Sequence, residues 1–242
     1  MGDFLIFRLY GSMVSWGDIA VGEYRPSFPH PSKSAVLGIL AAALGIRRDQ
    51  ENELHELTKA YGFAVRVDAG GSLLRDYHTV QRPSASRGVV YETRKDELSE
   101  GNLNTTLSSR DYYCDALSLA CLWIREAAHR FSLAELQAAL EKPFFQLYLG
   151  RKACPPALPL KPCVVSAGTL RESFQHYPIL DTEFLVGLPR AEATMIHWDD
   201  LPNSGLEADH VVKRRDVPFN RKAWQFSERY ENHVSISRDE GS

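Results

Sequence analysis

A short basic and aromatic stretch in the second half of the chain carries the clearest chemical signal. Residues 148–156 read YLGRKACPP, and Gly150 lets another backbone approach closely because it has no Cβ. Tyr148 offers a ring, Arg151 a planar fork of donors and Lys152 a point charge. This combination suits a sugar-phosphate chain, although the same residues also fit a strand-to-loop corner whose cations are simply solvated.

The stretch belongs to one of three segments, residues 24–48, 77–91 and 142–171, that contain cations but no acid. In the first segment Ser32 and Ser34 flank Lys33 at a predicted helix start, with Arg25 upstream. Free backbone N–H groups at a helix N-terminus favour a phosphate. Ordinary capping of the helix by Ser32 explains the same residues.

A predicted strand with the sequence LRDYHTV overlaps the second segment and carries Arg75, Tyr77 and His78, followed by Arg82 and Arg87. On an open sheet, Tyr and His side chains stack on unpaired bases while Arg binds phosphate or a base edge. A ribonuclease uses the same residue types. In that alternative, His78 or Tyr77 is the general base, and Lys33 or Arg75 stabilises the pentacoordinate phosphate. A strand histidine that makes one hydrogen bond is the plain interpretation.

A further basic cluster lies near the C-terminus, where cations are followed by aromatic rings. Such a surface holds RNA or a protein partner, and we favour the partner because Arg and Trp are enriched at interfaces. Its members are Lys213, Arg214, Arg215, Arg221, Lys222, Trp224 and Phe226.

Composition limits the remaining function classes. A formal net charge of -3 over 242 residues argues against a general nucleic-acid coat protein, so any anion site must be local. The chain lacks a Walker loop, a GxSxG elbow, a GxGxxG after a strand and an HExxH motif. His197, Asp199 and Asp200 have no further ligand pattern, and the four cysteines have no zinc spacing and are predicted to be reduced, buried thiols. We therefore predict no metal and no cofactor.

The N-terminus does not have the pattern of an export signal. An acid stands where a signal peptide carries positive charge, and Arg8 interrupts the apolar run. The longest apolar run, residues 35–46, is shorter than the ~20 residues that cross a bilayer. These features predict a cytoplasmic protein.

Hydrophobic periodicity and capping signals predict the elements that position these residues. Strands are predicted around residues 5–9, 63–67, 73–80, 89–93, 112–124, 163–165, 184–187, 193–198 and 210–212. Helices are predicted at 33–46 after an N-cap at Ser32, at 51–59, and at 132–142 with Ser132 and Glu135 as a capping box. Residues 11–31 and 199–208 are predicted loops, 81–109 a long hairpin or flap, and 238–242 a mobile tail. The first 150 residues thus follow the order of a ferredoxin-like split βαβ unit.

Five motifs in the same order along residues 3–165 resemble those of a known family. They are FLIFRLYGSMVSWGD, RPSFPHPSKSAVLGILAAALGIRRD, LRDYHTV, RDYYCDA and PFFQLYLGRKACPP. Together they resemble the CasD family, the handle-binding subunits of type I-E CRISPR Cascade complexes.

The resemblance implies an α+β protein with a ferredoxin-like (RRM-like) RNA-binding core over residues 1–165. It also implies a projecting β-hairpin thumb at about 81–109, and we predict a smaller β-rich C-terminal lobe over 166–242. The implied function is non-catalytic, because such proteins bind the 5′ handle of the CRISPR RNA and do not cut it. They also cap a backbone of CasC-like subunits and help to dock a CasA-like large subunit. The assembled complex then binds target DNA. A relative in type I-C systems cuts repeat RNA, so a metal-independent endoribonuclease stays an alternative. The expected RNA-binding residues are Arg25, Ser32, Lys33, Ser34, Arg75, Tyr77, His78, Arg82, Arg87, Arg110, Tyr148, Gly150, Arg151 and Lys152.

Overall fold

A computed structural model of the chain describes residues 1–84, 88–99, 101–178, 188, 193–220, 223 and 225–237. The strands are β1 (Gly2–Val14), β2 (Tyr24–Arg25), β3 (Tyr61–Ala69), β4 (Ser72–Pro83), β5 (Leu103–Ile124), β6 (Cys163–Ala167), β7 (Ala193–Trp198), β8 (His210–Asn220) and β9 (Gln225–Ser237). The helices are α1 (Lys33–Ala43), α2 (Glu51–Ala60), α3 (Arg94–Leu98), α4 (Leu133–Glu141) and α5 (Leu170–His176). Among these helices none is both long and apolar enough to cross a lipid bilayer.

The described strands form a single sheet that is organised around the long strand β5. Its main path runs β6-β1-β5-β3-β7-β9-β8, and β2 and β4 also pair with β5. The C-terminal part of β5 lies between β1 and β3, whereas its N-terminal part pairs with β4. Gly71 and Asp115 have positive φ angles of 72° and 57°, and they lie where β5 exchanges β3 for β4 as its partner. The protein is therefore a sheet-dominated mixed α/β structure.

The apolar core covers both faces of the sheet, which explains the nearly continuous apolar runs in β1 and β5. On one face Leu5 and Phe7 of β1 belong to the cluster that includes the buried apolar residues of α1, α2 and α4. On the other face Phe4 and Ile6 belong to the cluster that includes Leu170 of α5. A one-residue slip of β1 would exchange these two sets, so this packing fixes its register.

The helix predictions are confirmed with small changes at their ends. Ser32 is the N-cap of α1 and its hydroxyl accepts a hydrogen bond from Ala35 N, while Ser132 and Glu135 form the predicted capping box of α4. The first helix ends at Ala43 rather than at residue 46, because the chain turns at Gly45, where φ is 77°. The helix α5 was not predicted. Thr169 caps it by accepting from Glu172 N, so a Thr-x-x-Glu signal was present in the sequence.

The segment predicted as a flap lies at the end of a long two-stranded ribbon. The strands β4 and β5 pair from Ser72–Cys114 out to Pro83–Leu103. From His78 and Ser108 outward, these two strands have no other partner among the described strands. The predicted strand at 89–93 is wrong, since residues 89–91 have no regular structure and Thr93 instead caps α3 through a capping box with Asp96.

Two of the C-terminal strands, β6 and β8, are longer than predicted, and one strand was missed. The predicted strands at 163–165, 193–198 and 210–212 correspond to β6, β7 and β8, whereas β9 was missed. Because β7 pairs with β3, these strands continue the sheet of the N-terminal part, and the division at residue 165 stays a prediction. The predicted strand at 184–187 and the tail at 238–242 lie outside the described residues. All four cysteines are free, with Cys121 and Cys154 buried as predicted and the other two half-buried.

Candidate RNA-binding surface

The turn at Gly150 lies directly against the end of β1. Leu149 N donates to Cys154 O at 2.7 Å and closes the turn, and Ser15 N donates to Leu149 O at 3.1 Å. Gly150 has a φ of 88°, and a Cβ on it would lie 1.7 Å from Ser15 O. The backbone that approaches Gly150 is thus the chain's own, and a contact of Gly150 with RNA stays a prediction.

Arg151 connects this turn to β2 and β5. Its Nη1 donates to Asp111 O at 3.3 Å and its Nη2 donates to Arg25 O at 3.0 Å. The guanidinium carbon also lies 4.7 Å from the centre of the Tyr112 ring. Arg151 is therefore part of the scaffold of the surface, and it is only half-buried.

The carboxylate of Asp111 collects side chains from three strands. Arg75 of β4 forms a two-pronged ion pair with it, with Nε–Oδ1 at 2.8 Å and Nη2–Oδ2 at 3.2 Å. Tyr24 of β2 donates its hydroxyl to Oδ2 at 2.5 Å and accepts from Arg75 Nη2 at 2.9 Å. The hydrogen bonds from Arg75 hold the pKa of Asp111 below its ordinary value, while the bond to Asp111 raises the pKa of Tyr24.

The structure therefore brings together one cation from each of the acid-free segments or their borders. Arg75 pairs with the carboxylate of Asp111 and Arg151 donates to its carbonyl oxygen. Arg25 is linked to them through its own carbonyl oxygen, which accepts from Arg151, while its guanidinium donates to carbonyls of its own loop. Asp111 itself comes from none of those segments. We call this group, with the neighbouring side chains that face solvent, the Asp111 surface. It joins strands β2, β4 and β5 and the turn at Gly150.

Several aromatic and basic side chains on and beside the Asp111 surface point into solvent. Ser109 of β5 pairs with Tyr24 of β2 on one side and with Tyr77 of β4 on the other, so the two tyrosines lie on the same face of the sheet. Their exposed fractions are 40% and 65%. The Arg75 side chain is 53% exposed although its carboxylate partner is only 5% exposed. Of the other predicted residues, Arg25, His78, Arg82, Tyr148 and Lys152 are exposed and Arg110 is half-buried in the register pair with Arg25. Arg87 lies outside the described residues.

The predicted phosphate site at the start of α1 is used within the chain. Lys33 N donates to Asp216 Oδ2 at 2.8 Å, so a carboxylate of β8 lies where a phosphate was predicted. Lys33 Nζ donates to Asp199 Oδ2 at 2.7 Å, and the residue is only 3% exposed. Burial lowers the pKa of Lys33, although Asp199 opposes this shift. The structure does not bring Ser32, Lys33 and Ser34 to the Asp111 surface, and Ser32 serves as the helix cap.

Buried ion pairs continue from Lys33 into the C-terminal strands. Arg229 binds Asp216 through Nε–Oδ1 at 2.7 Å, binds Asp199 through Nη1–Oδ1 at 2.9 Å, and also binds Glu231. Arg214 is buried against this group, with Nε 3.4 Å from Glu231 Oε1. The predicted basic cluster at 213–226 is thus divided, because Arg214 faces the interior while Lys213 and Arg215 are exposed. Its proposed partner interface stays a prediction, and Arg221, Lys222 and Trp224 lie outside the described residues.

Within the described part of the chain, one trio could in principle bind a metal ion. The ligand atoms of His30, His197 and Glu231 all lie within 4.8 Å of one another. However, the two imidazole rings are stacked 3.8 Å apart at 18°, so their in-plane lone pairs run side by side and do not converge on one point. Glu231 is already bound by Arg229 and approached by Arg214, which adds positive charge where a cation would sit. The trio fits an imidazole and ion-pair cluster better than a divalent metal site.

Sequence patterns did not indicate Asp111 and Tyr24, which organise the surface. The basic segments were chosen because they contain no acid. This choice excluded Asp111, the acid that binds and orients Arg75. The signal was present in the RDYYCDA motif, where an acid follows Arg110 on a strand beside Arg75. Tyr24 stands directly before Arg25, in a stretch that was predicted to be a loop.

Exposed rings beside fixed cations on an open sheet are typical of proteins that bind single-stranded nucleic acid. The comparisons with known proteins identify the family of the chain. Residues 4–230 match the family model described as CRISPR-associated protein (Cas_Cas5). The CRISPR system Cascade subunit CasD of Escherichia coli (strain K12) is 36% identical over 168 residues, which cover 66% of this chain and 70% of that protein. The chain belongs to the Cas5 family of CRISPR-associated proteins.

Two solved structures share the fold over almost the whole chain. A chain of a CRISPR RNA-guided surveillance complex superposes with a TM-score of 0.64 at 27% identity, covering 97% of this chain and 90% of the other. A structure described as a Cas protein superposes with a TM-score of 0.60 at 26% identity, covering 98% and 96%. The Cas5-like fold therefore includes the C-terminal strands as well as the region that carries the motifs.

Proposed function

We propose that this protein is a non-catalytic subunit of a type I-E Cascade complex that binds the 5′ handle of the CRISPR RNA in antiviral defence. The observation that carries the proposal is the pairing of Arg75 and Arg151 with Asp111 on one surface, beside the exposed side chains of Tyr24, Arg25 and Tyr77. Arginine forks bind phosphates in two-pronged geometry, and exposed rings stack on unpaired bases. The family membership and the similarity to a CRISPR RNA-guided surveillance complex support the same function.

The architecture suggests how this subunit is organised. We propose that β1, β3, β5 and β6 with α1 and α4 form a ferredoxin-like core, because their spatial order β6-β1-β5-β3 interlocks two strand–helix–strand units with antiparallel neighbours. The outer ribbon of β4 and β5 would then be the thumb. The proposed partners are CasC-like backbone subunits, a CasA-like large subunit and, through the assembled complex, target DNA. We propose a cytoplasmic site of action.

The contacts of Lys33 argue against the endoribonuclease alternative. Lys33 was the proposed stabiliser of a pentacoordinate phosphate, but its ammonium group is buried and bound to Asp199. Incubating the protein with labelled repeat RNA in EDTA tests this alternative. A discrete product that disappears in His78→Ala would contradict the non-catalytic proposal.

The binding proposal is tested with the full chain in complex with its backbone subunits. The probes are a synthetic RNA with the repeat-derived segment that precedes the spacer in the source genome, and a base-permuted RNA of the same composition. We expect Arg151→Ala and Tyr77→Ala each to weaken binding of the handle RNA by about 10-fold. The control Lys59→Ala, on the exposed side of α2, also removes one exposed side chain but should leave the affinity unchanged. Equal affinity of the wild-type complex for both RNAs would overturn handle recognition.

A further inference from the structure

We propose that Asp111 is a positioning residue for RNA recognition, a buried carboxylate that holds Arg75 and Tyr24 in the orientation that binds the handle. This inference rests on the proposed function and deepens it, because it assigns a role to an acid at the centre of an anion-binding surface. Asp111 is 3% exposed, so RNA would contact the side chains that Asp111 holds and not Asp111 itself.

The hydrogen bonds of Arg75 leave one edge of its guanidinium for a ligand. Its Nε binds Asp111 Oδ1, and its Nη2 is shared between Asp111 Oδ2 and the Tyr24 hydroxyl. No hydrogen bond joins Nη1 to any of the residues that the structure describes, so both of its N–H groups stay available. The guanidinium carbon lies 5.0 Å from the Tyr24 ring centre, which further restricts rotation. Arg75 thus offers two donors in a fixed plane.

Asp111 also acts through its main chain. Its carbonyl oxygen accepts from Arg151 Nη1 at 3.3 Å and from Ser15 Oγ at 3.0 Å. One residue of β5 therefore positions Arg75 with its side chain and Arg151 with its backbone. Ordering these arginines before RNA arrives lowers the entropy that binding would otherwise cost.

Electrostatics alone predicts the opposite effect of this residue. A negative charge beside a phosphate-binding surface repels RNA, so Asp111→Asn, which removes one negative charge from the surface, should strengthen the binding of any RNA. If Asp111 acts by positioning, the same substitution frees Arg75 from its two-pronged contact and weakens recognition of the handle. The two accounts therefore differ in the sign of the effect.

The test compares Asp111→Asn with Asp68→Asn in the full chain in complex with its backbone subunits. Asp68 forms an equivalent two-pronged pair with Arg66 on β3, at 2.8 and 3.0 Å, and has no part in the Asp111 surface. Both variants make the same change in net charge. Affinities for handle RNA and permuted RNA are measured at two salt concentrations.

We expect Asp111→Asn to reduce the preference for handle over permuted RNA by about 10-fold and Asp68→Asn to leave it unchanged. Tighter binding of both RNAs by Asp111→Asn, with preference unchanged, would overturn the inference. If the wild-type complex shows no preference, the proposed function fails instead, so the two failures are distinguishable.

A double-mutant cycle separates positioning from general loss of structure. Arg75→Lys keeps the charge but removes the planar fork, so it should lower the preference as much as Asp111→Asn. The double variant should lose little more than either single variant, because both act on one contact. Independent, additive losses would contradict the inference. Should Asp111→Asn fail to fold, Tyr24→Phe and Arg75→Lys give the same cycle, since the Tyr24 hydroxyl binds both Arg75 and Asp111.

Discussion

Replacing Gly150 with alanine should destabilise the fold by far more than a glycine-to-alanine change in an open turn. The residue has a φ of 88°, a region that L-residues adopt at a cost of about 1–2 kcal/mol. In addition, the new Cβ would lie 1.7 Å from Ser15 O and 2.6 Å from Ser15 C, which are backbone atoms that cannot rotate away. The turn and the end of β1 must therefore separate.

The hydrogen bonds that this separation breaks set the size of the effect. Moving Ser15 away breaks its N–H bond to Leu149 O, at 3.1 Å, and strains its Oγ bond to Asp111 O, at 3.0 Å. Each such bond contributes a net ~1 kcal/mol. Adding the conformational term gives about 2–4 kcal/mol for Gly150→Ala.

Equilibrium urea unfolding of the full chain, followed by circular dichroism, measures this change in the free energy of unfolding. Gly17→Ala is the matched control, because Gly17 has a φ of 71° but nothing within 4 Å of an added Cβ. It should show only the conformational cost of about 1–2 kcal/mol. Equal losses in the two variants would refute the reasoning, since they would show that the approach of Ser15 contributes nothing.

Two further predictions concern the buried charges behind α1. Lys33→Met should lower the free energy of unfolding, measured by urea titration, by about 2–3 kcal/mol. This loss is smaller than the ~3–5 kcal/mol typical of a broken buried ion pair, because Asp199 keeps its bond to Arg229. A stability equal to that of wild type would contradict the pairing of Lys33 with Asp199. Burial lowers the pKa of His30 from 6.5 to about 3, so the unfolded chain gains a proton as pH falls below 6.5 while the folded chain does not, and stability should drop across this window. Between pH 6.5 and 4.5, the melting temperature of His30→Phe should therefore fall less than that of wild type. Glu231 contributes little to stability changes in this range, because its pKa falls from 4.5 to about 2 on folding. Parallel pH profiles of the two proteins would exclude His30 as the cause.

Local signals in the sequence were sufficient for most of the N-terminal fold. The cap at Ser32 and the capping box at Ser132 are decided within four residues of the chain, and both helices begin where these signals predict. The apolar pattern of β1 likewise depends on its own residues. The strand at 89–93 failed because two valines and a tyrosine have high strand propensity, yet the segment has no pairing partner among the described strands, and propensity without pairing does not make a strand.

The roles of the charged residues could not be predicted in the same way. Lys33 and Arg214 are as basic in sequence as Arg151, but they are buried in the folded chain, where each is next to a carboxylate from another element. Asp199 is separated from Lys33 by 166 positions, and no local pattern indicates that pairing. Cation counts therefore predicted where basic residues cluster in sequence, and not which of them reach solvent.

The same pairing explains how a chain with a net charge of -3 can offer a local surface to an anion. The acids Asp199, Asp216 and Glu231 are each buried in ion pairs away from the Asp111 surface, where their charge is compensated. Exposed charges farther away than the screening length of about 8 Å at physiological ionic strength hardly oppose a phosphate there. Asp111 is the buried acid of the surface, and Arg75 and Tyr24 bind its carboxylate. An approaching phosphate therefore meets the guanidinium of Arg75 before it meets Asp111, and the buried carboxylate determines the orientation of that guanidinium.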